Sequence, residues 1–84
     1  MSAETQDIPM PRIGEDEDEY TIVAWLKRPG DEIAAGEAIA EAMTEKANVE
    51  VESPVAGVLE VILVEEEDTV AVGQPIARVI ESEG

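Results

Sequence analysis

Cysteine is missing from this chain, so neither a disulfide nor a thiolate can hold the fold together or carry out chemistry. Histidine is missing too, which removes the usual general base, the usual triad member and the commonest metal ligand. There is no Phe, and only one Trp and one Tyr. Basic side chains are scarce, five against 21 acidic ones, for a formal charge of −16. A surface of that sign repels nucleic acid and anionic lipid. No apolar run approaches the roughly 20 residues that span a bilayer. The first residues lack a basic region followed by an apolar one, the mark of a secretory leader. These absences point away from an enzyme acting alone and away from membrane or nucleic-acid partners. We expect a monomeric cytoplasmic domain without a metal site.

What remains is a chain of 84 residues, short enough for one domain, with 44% apolar content drawn from Val, Ile, Leu and Ala. Such β-branched composition favours sheets. Residues 1–6 carry no pattern and read as a loose end, residues 7–81 as the domain, and residues 82–84 as its C-terminal end or the start of a linker. Residues 7–13 (DIPMPRI) are apolar, but Pro9 and Pro11 confine them to an edge strand or an extended arm. An acidic loop follows over residues 14–19, and then a strand over residues 20–27 (YTIVAWLK). Pro29-Gly30-Asp31 and Gly36 mark turns. Further strands are expected over residues 37–43, 47–52, 58–64 and 75–81, with turns at residues 44–47, 65–68 and Gly73. A helix over residues 36–46, suggested by the run of alanines, is the structural alternative, interrupted by Gly36 itself.

An internal repeat organises these pieces. Laying Gly36 on Gly73 sets an offset of 37 residues. Leu26 then falls on Leu63, Asp31 on Asp68, Ile33 on Val70, Ala34 on Ala71, Ile39 on Ile76 and Ala40 on Ala77. Each half is a strand, a turn, a short strand, a glycine turn and a strand. A β unit of this size is marginal in water by itself, so the two halves must pack against each other. Alternation places Ile22, Ala24 and Leu26 on one face, and Leu59, Val61 and Leu63 on the matching face. The repeat also isolates one feature. The strand ending at Met43 turns back through Thr44-Glu45-Lys46-Ala47, whereas its counterpart ending at Ile80 runs out to the chain end. Lys46 therefore sits on a hairpin that only one half possesses. A type I turn accommodates Glu45 and Lys46 at its centre without positive φ.

Residues 43–51 (MTEKANVEV) resemble the hairpin of lipoyl domains from 2-oxo acid dehydrogenase complexes. Met10-Pro11-Arg12-Ile13-Gly14, Thr21-Ile22-Val23-Ala24-Trp25-Leu26, Pro29-Gly30-Asp31 and residues 51–57 (VESPVAG) resemble the same family, over nearly the whole chain. The resemblance implies an all-β barrel-sandwich hybrid, a flattened barrel of two antiparallel four-stranded sheets with a pseudo-two-fold repeat. It implies lipoic acid bound as an amide on Lys46, a swinging arm that carries acyl groups and reducing equivalents between active sites. Thr44, Glu45 and Ala47 would shape the turn for a lipoate–protein ligase or lipoyl transferase. The implied partners are a thiamine diphosphate-dependent 2-oxo acid dehydrogenase component, an acyltransferase catalytic domain and dihydrolipoamide dehydrogenase. The chain would be a non-catalytic carrier, free-standing or part of a longer acyltransferase. It departs from the family in Met43, where an acid is usual, and in Tyr20, where glycine is frequent.

Competing readings stand beside these. Gly14, Glu15, Asp16, Glu17, Asp18 and Glu19 form either a partner-contact loop or a solvated acidic one. Glu65-Glu66-Glu67-Asp68 does not follow calcium-loop spacing. Lys27 beside its Pro-Gly turn is assigned no role, and Trp25 is read as packing. A biotinyl carrier domain shares the fold, and Glu41-Ala42-Met43 matches part of its signature, but Lys46 is flanked by Glu45 and Ala47, not methionines. An unmodified interaction module is the third possibility. The acidity also suits a salt-rich cytoplasm.

Overall fold

The computed structural model describes residues 4–13 and 17–81, and these form eight strands. In chain order they are β1 (Thr5–Pro9), β2 (Glu19–Trp25), β3 (Glu32–Ile33), β4 (Ala38–Met43), β5 (Asn48–Glu52), β6 (Gly57–Ile62), β7 (Thr69–Ala71) and β8 (Pro75–Glu81). They assemble into two antiparallel four-stranded sheets, ordered β1-β8-β6-β3 and β5-β4-β2-β7. There is no helix among the described residues, and the stretch considered as one is a glycine turn followed by β4, with Gly36 at φ 85°.

The two halves exchange their short strands. β3 of the first half pairs with β6 of the second, and β7 of the second pairs with β2 of the first. The register repeats at the same offset: Ile33 faces Gly57 as Val70 faces Tyr20, and Glu32 faces Val58 as Thr69 faces Thr21. The turns repeat bond for bond. Gly30 N–H donates to Leu59 O, and Glu67 N–H to Ile22 O. The Asp31 carboxylate accepts from Arg28 N–H, and that of Asp68 from Glu65 N–H. The Glu37 carboxylate accepts from Ala34 N–H, and the Gln74 amide oxygen from Ala71 N–H. The core pairs residues across the same symmetry: Ile22 with Leu59, Ile33 with Val70, Ile39 with Ile76, Ala42 with Val79. Each fully buried Ile or Leu adds about 2 kcal/mol of transfer free energy, and neither half encloses such a core alone.

Three expectations need correction. β1 begins at Thr5, so the sheet takes in Thr5 and Gln6, paired with Ile80 and Val79, although they carry no apolar pattern. Backbone pairing to β8 places them, not side-chain burial. β1 also stops at Pro9, leaving Pro11 to Ile13 outside it, as two prolines without N–H donors require. The third correction concerns side-chain direction. The β2–β4 ladder skips Val23 and the β6–β8 ladder skips Glu60, symmetry-related bulges that flip the faces beyond them. Leu26 and Leu63 therefore lie outside, 49% and 42% exposed, and do not join Ile22 and Leu59 in the core. The bulges instead bring Trp25 across, where its indole N–H donates to Val64 O at 3.0 Å.

One position breaks the symmetry at a cost. Gly30, at φ 99°, takes the left-handed conformation that its turn requires, and the matching residue of the second half is Glu67, at φ 77°. A side chain there costs about 1–2 kcal/mol, less the backbone entropy that glycine loses on folding. Glu67→Gly is therefore expected to stabilise the fold by about 0.5–1 kcal/mol. Urea unfolding followed at Trp25 measures it, and an unchanged or lower midpoint contradicts the strain assigned to this turn.

Candidate functional site

The hairpin between β4 and β5 closes with the pair Met43–Asn48, and residues 44–47 turn the chain. Thr44 organises the turn from one side chain. Its hydroxyl donates to Ala47 O at 2.8 Å and accepts from Ala47 N–H at 3.1 Å and Lys46 N–H at 3.3 Å. Its own N–H donates to Ala47 O at 2.9 Å. No residue of the turn has positive φ, so Glu45 and Lys46 occupy its centre without strain, and no glycine is needed. Threonine serves here because a short hydroxyl bonds readily to neighbouring backbone.

Lys46 is exposed at the tip. Among the described residues nothing bonds to its ammonium group. The other lysine, Lys27, is the contrast. Its ammonium lies 2.6 Å from the Glu37 carboxylate, with the two side chains 25% and 35% exposed. The hydrogen bond to Glu37 raises the Lys27 pKa above its ordinary 10.5, and the nearby Glu37 and Asp31 charges reinforce the shift. The bond to Lys27 and that from Ala34 N–H together lower the Glu37 pKa below its ordinary 4.5. One lysine is thus engaged by a carboxylate, and the other is presented to solvent. Met43 beside the turn is 49% exposed, and with Asn48, Thr21 and Thr69 it forms an uncharged row across the outer face of the sheet.

Among the described residues, the acidic loop meets this turn at Glu17. The Glu17 carboxylate accepts from Glu45 N–H at 3.3 Å. Asp18 and Glu19 do not reach the hairpin: Asp18 pairs with Arg12 at 3.1 Å and accepts from Val72 N–H, and Glu19 begins β2 opposite Ala71. Gly14, Glu15 and Asp16 lie outside the described residues. Sequence reading missed the roles of Arg12 and Tyr20 here. Tyr20 is 1% exposed, and its hydroxyl accepts from Ile13 N–H at 2.9 Å and donates to Glu17 O at 3.3 Å. A signal existed. Tyr20 is the repeat partner of Gly57, where an added Cβ would overlap the Ile80 carbonyl oxygen and the Val79 side chain. A large phenol in the place of such a glycine needs a partner for its hydroxyl.

The family model described as "Biotin-requiring enzyme", covering biotin and lipoyl attachment, matches residues 6–79. A dihydrolipoyllysine-residue succinyltransferase component of the 2-oxoglutarate dehydrogenase complex from Staphylococcus saprophyticus is 50% identical over 78 residues, 93% of this chain and 18% of that protein. A dihydrolipoyllysine-residue acetyltransferase component of the pyruvate dehydrogenase complex from Corynebacterium glutamicum is 47% identical over 73 residues, 87% of this chain and 11% of that protein. The chain therefore spans less than a fifth of the length of these relatives. Among solved structures, the lipoyl domain of the 2-oxoglutarate dehydrogenase complex from Azotobacter vinelandii superposes with a TM-score of 0.68 at 32% identity, covering 93% of this chain and 96% of that one. The urea carboxylase of Kluyveromyces lactis superposes at 0.76 with 18% identity, over 95% of this chain and 6% of that one, a likeness of fold alone.

The contrast between the lysines has a direct test. A limiting amount of an amine-acylating reagent at neutral pH should label Lys46 well ahead of Lys27, read by peptide mass. Equal labelling contradicts the geometry assigned to both.

Proposed function

Because the chain belongs to the biotin and lipoyl attachment family, we propose that Lys46 is its attachment lysine and that lipoic acid is the group attached. The observation that carries this is the Lys46 amine, unengaged among the described residues, at the tip of a strain-free turn held clear of two packed sheets. Attachment needs little more. The neutral amine attacks an activated carboxyl carbon, an amide forms, the activating group leaves and the amine's proton goes to solvent. Thr44 fixes the backbone on both sides of the lysine, while the side chain stays free to sweep. The attached group would supply a dithiolane that takes up an acyl group with two electrons and gives them up elsewhere. The domain's own part is to present that group without covering it, as a turn tip does.

Lipoate is favoured over biotin on two grounds. Glu45 and Ala47 flank the lysine where biotinyl domains carry methionines. The relatives at 50% and 47% identity are named for dihydrolipoyllysine chemistry, while the carboxylase likeness is one of fold. The domain is then a carrier within a 2-oxo acid dehydrogenase complex. It serves a thiamine diphosphate-dependent dehydrogenase component, an acyltransferase catalytic domain and dihydrolipoamide dehydrogenase, and is loaded by a lipoate–protein ligase or lipoyl transferase in the cytoplasm. The relatives include components of 2-oxoglutarate, pyruvate and branched-chain complexes, so the substrate is left at the class of 2-oxo acids.

Incubation with a lipoate–protein ligase, lipoate and ATP should add the mass of one lipoyl group, and Lys46→Arg should add none. Biotin ligase with biotin should leave the chain unchanged. Lipoylation that persists in Lys46→Arg, or a preference for biotin, overturns the reading; an unmodifiable chain favours an interaction module.

A further inference from the structure

The four amides of the turn can be accounted for one by one. Thr44 N–H is bonded to Ala47 O, and Lys46 N–H and Ala47 N–H are bonded to the Thr44 hydroxyl. Glu45 N–H has no acceptor within the turn. It donates outward to the Glu17 carboxylate, 28 residues earlier in the chain. The main chain of Glu17 is itself held. Arg12 Nη1 and the Tyr20 hydroxyl both donate to the Glu17 carbonyl oxygen, at 3.1 Å and 3.3 Å. Arg12 Nη2 donates to Asp18 at 3.1 Å, and the Tyr20 ring is anchored in the core. A chain of contacts thus runs from the core through Tyr20 and Glu17 to the backbone of the residue preceding Lys46.

The electrostatics make this placement informative. In a chain of charge −16, bringing the Glu17 carboxylate up to a turn that already carries Glu45 is repulsive. A charge-assisted bond to a backbone N–H offsets that repulsion. Tyr20 stands where the repeat has a glycine, so the anchor belongs to this half alone, the half whose last strand continues into the lysine hairpin.

We propose that Glu17 is a positioning residue for the acylation of Lys46, holding the turn in the one geometry that a modifying enzyme docks onto. The proposal rests on Lys46 being the attachment lysine. Without the brace the turn has more conformations to lose on docking, which weakens recognition without touching the chemical step.

The test compares Glu17→Ala and Glu17→Gln with the intact chain by amide exchange and by ligase kinetics. In Glu17→Ala, Glu45 N–H should exchange about five- to tenfold faster, with β4 and β8 amides and the melting temperature unchanged. The ligase KM for the domain should rise about fivefold at constant kcat. Glu17→Gln keeps an acceptor oxygen and should stay within about twofold of the parent on both measures. The proposal is overturned if Glu45 exchange and KM do not change in Glu17→Ala. It is overturned equally if KM rises only together with a general loss of protection across the sheets, or if glutamine fails to rescue. An unmodified parent chain sinks the attachment reading instead, and the proposal with it, while Glu45 exchange still reports whether the brace exists.

Discussion

The whole molecule depends on the exchange of short strands between its two halves. β3 finds its ladder only on β6, and β7 only on β2, so neither half can complete a sheet without the other. Once exchanged, the turns lock through the same bonds in each half, with aspartate, glutamate or glutamine side chains accepting from turn amides. The symmetry also fixes where the fold differs from itself. One half ends by pairing β8 with the N-terminal β1; the other ends by pairing β4 with β5, and the connection between those two strands carries the lysine. The proposed attachment site is thus the hairpin left over when a symmetric β unit has satisfied everything else.

Much of this was legible in the chain. Glycine and aspartate spacing located the turns, and the offset of 37 residues located the repeat and its unmatched hairpin. Alternation failed beyond Val23 and Glu60 because a bulge is a matter of partner count, which no single strand reveals. Leu26 and Leu63 face outward, against the alternation, for that reason. Thr5 and Gln6 carry no sequence signal because a polar edge residue joins a sheet through its backbone. At the site, the lysine and its threonine stood out by position, and the family resemblance extended the reading to a cofactor. The bond from Glu45 to Glu17 joins residues whose closeness arises only after β2 and β4 pair.

Charge shapes the surface without specifying the fold. Ion pairs join Arg12 to Asp18, Lys27 to Glu37 and Arg78 to Asp7, all at least partly exposed, so they are screened and individually weak. Against them stand like charges such as Glu41 opposite Glu50 on neighbouring strands. The core of Ile, Val and Leu must hold the sheets together despite this repulsion. Near the hairpin, the Glu17 carboxylate is put to use as a hydrogen-bond acceptor for the turn.

The claim that matters most is that Lys46 bears the carried group. Mass analysis of the Lys46-containing peptide from the native protein, taken from cells of its source, tests it directly. A lipoyl adduct is expected on Lys46 and none on Lys27; biotin on Lys46, or an adduct on the other lysine, contradicts this reading.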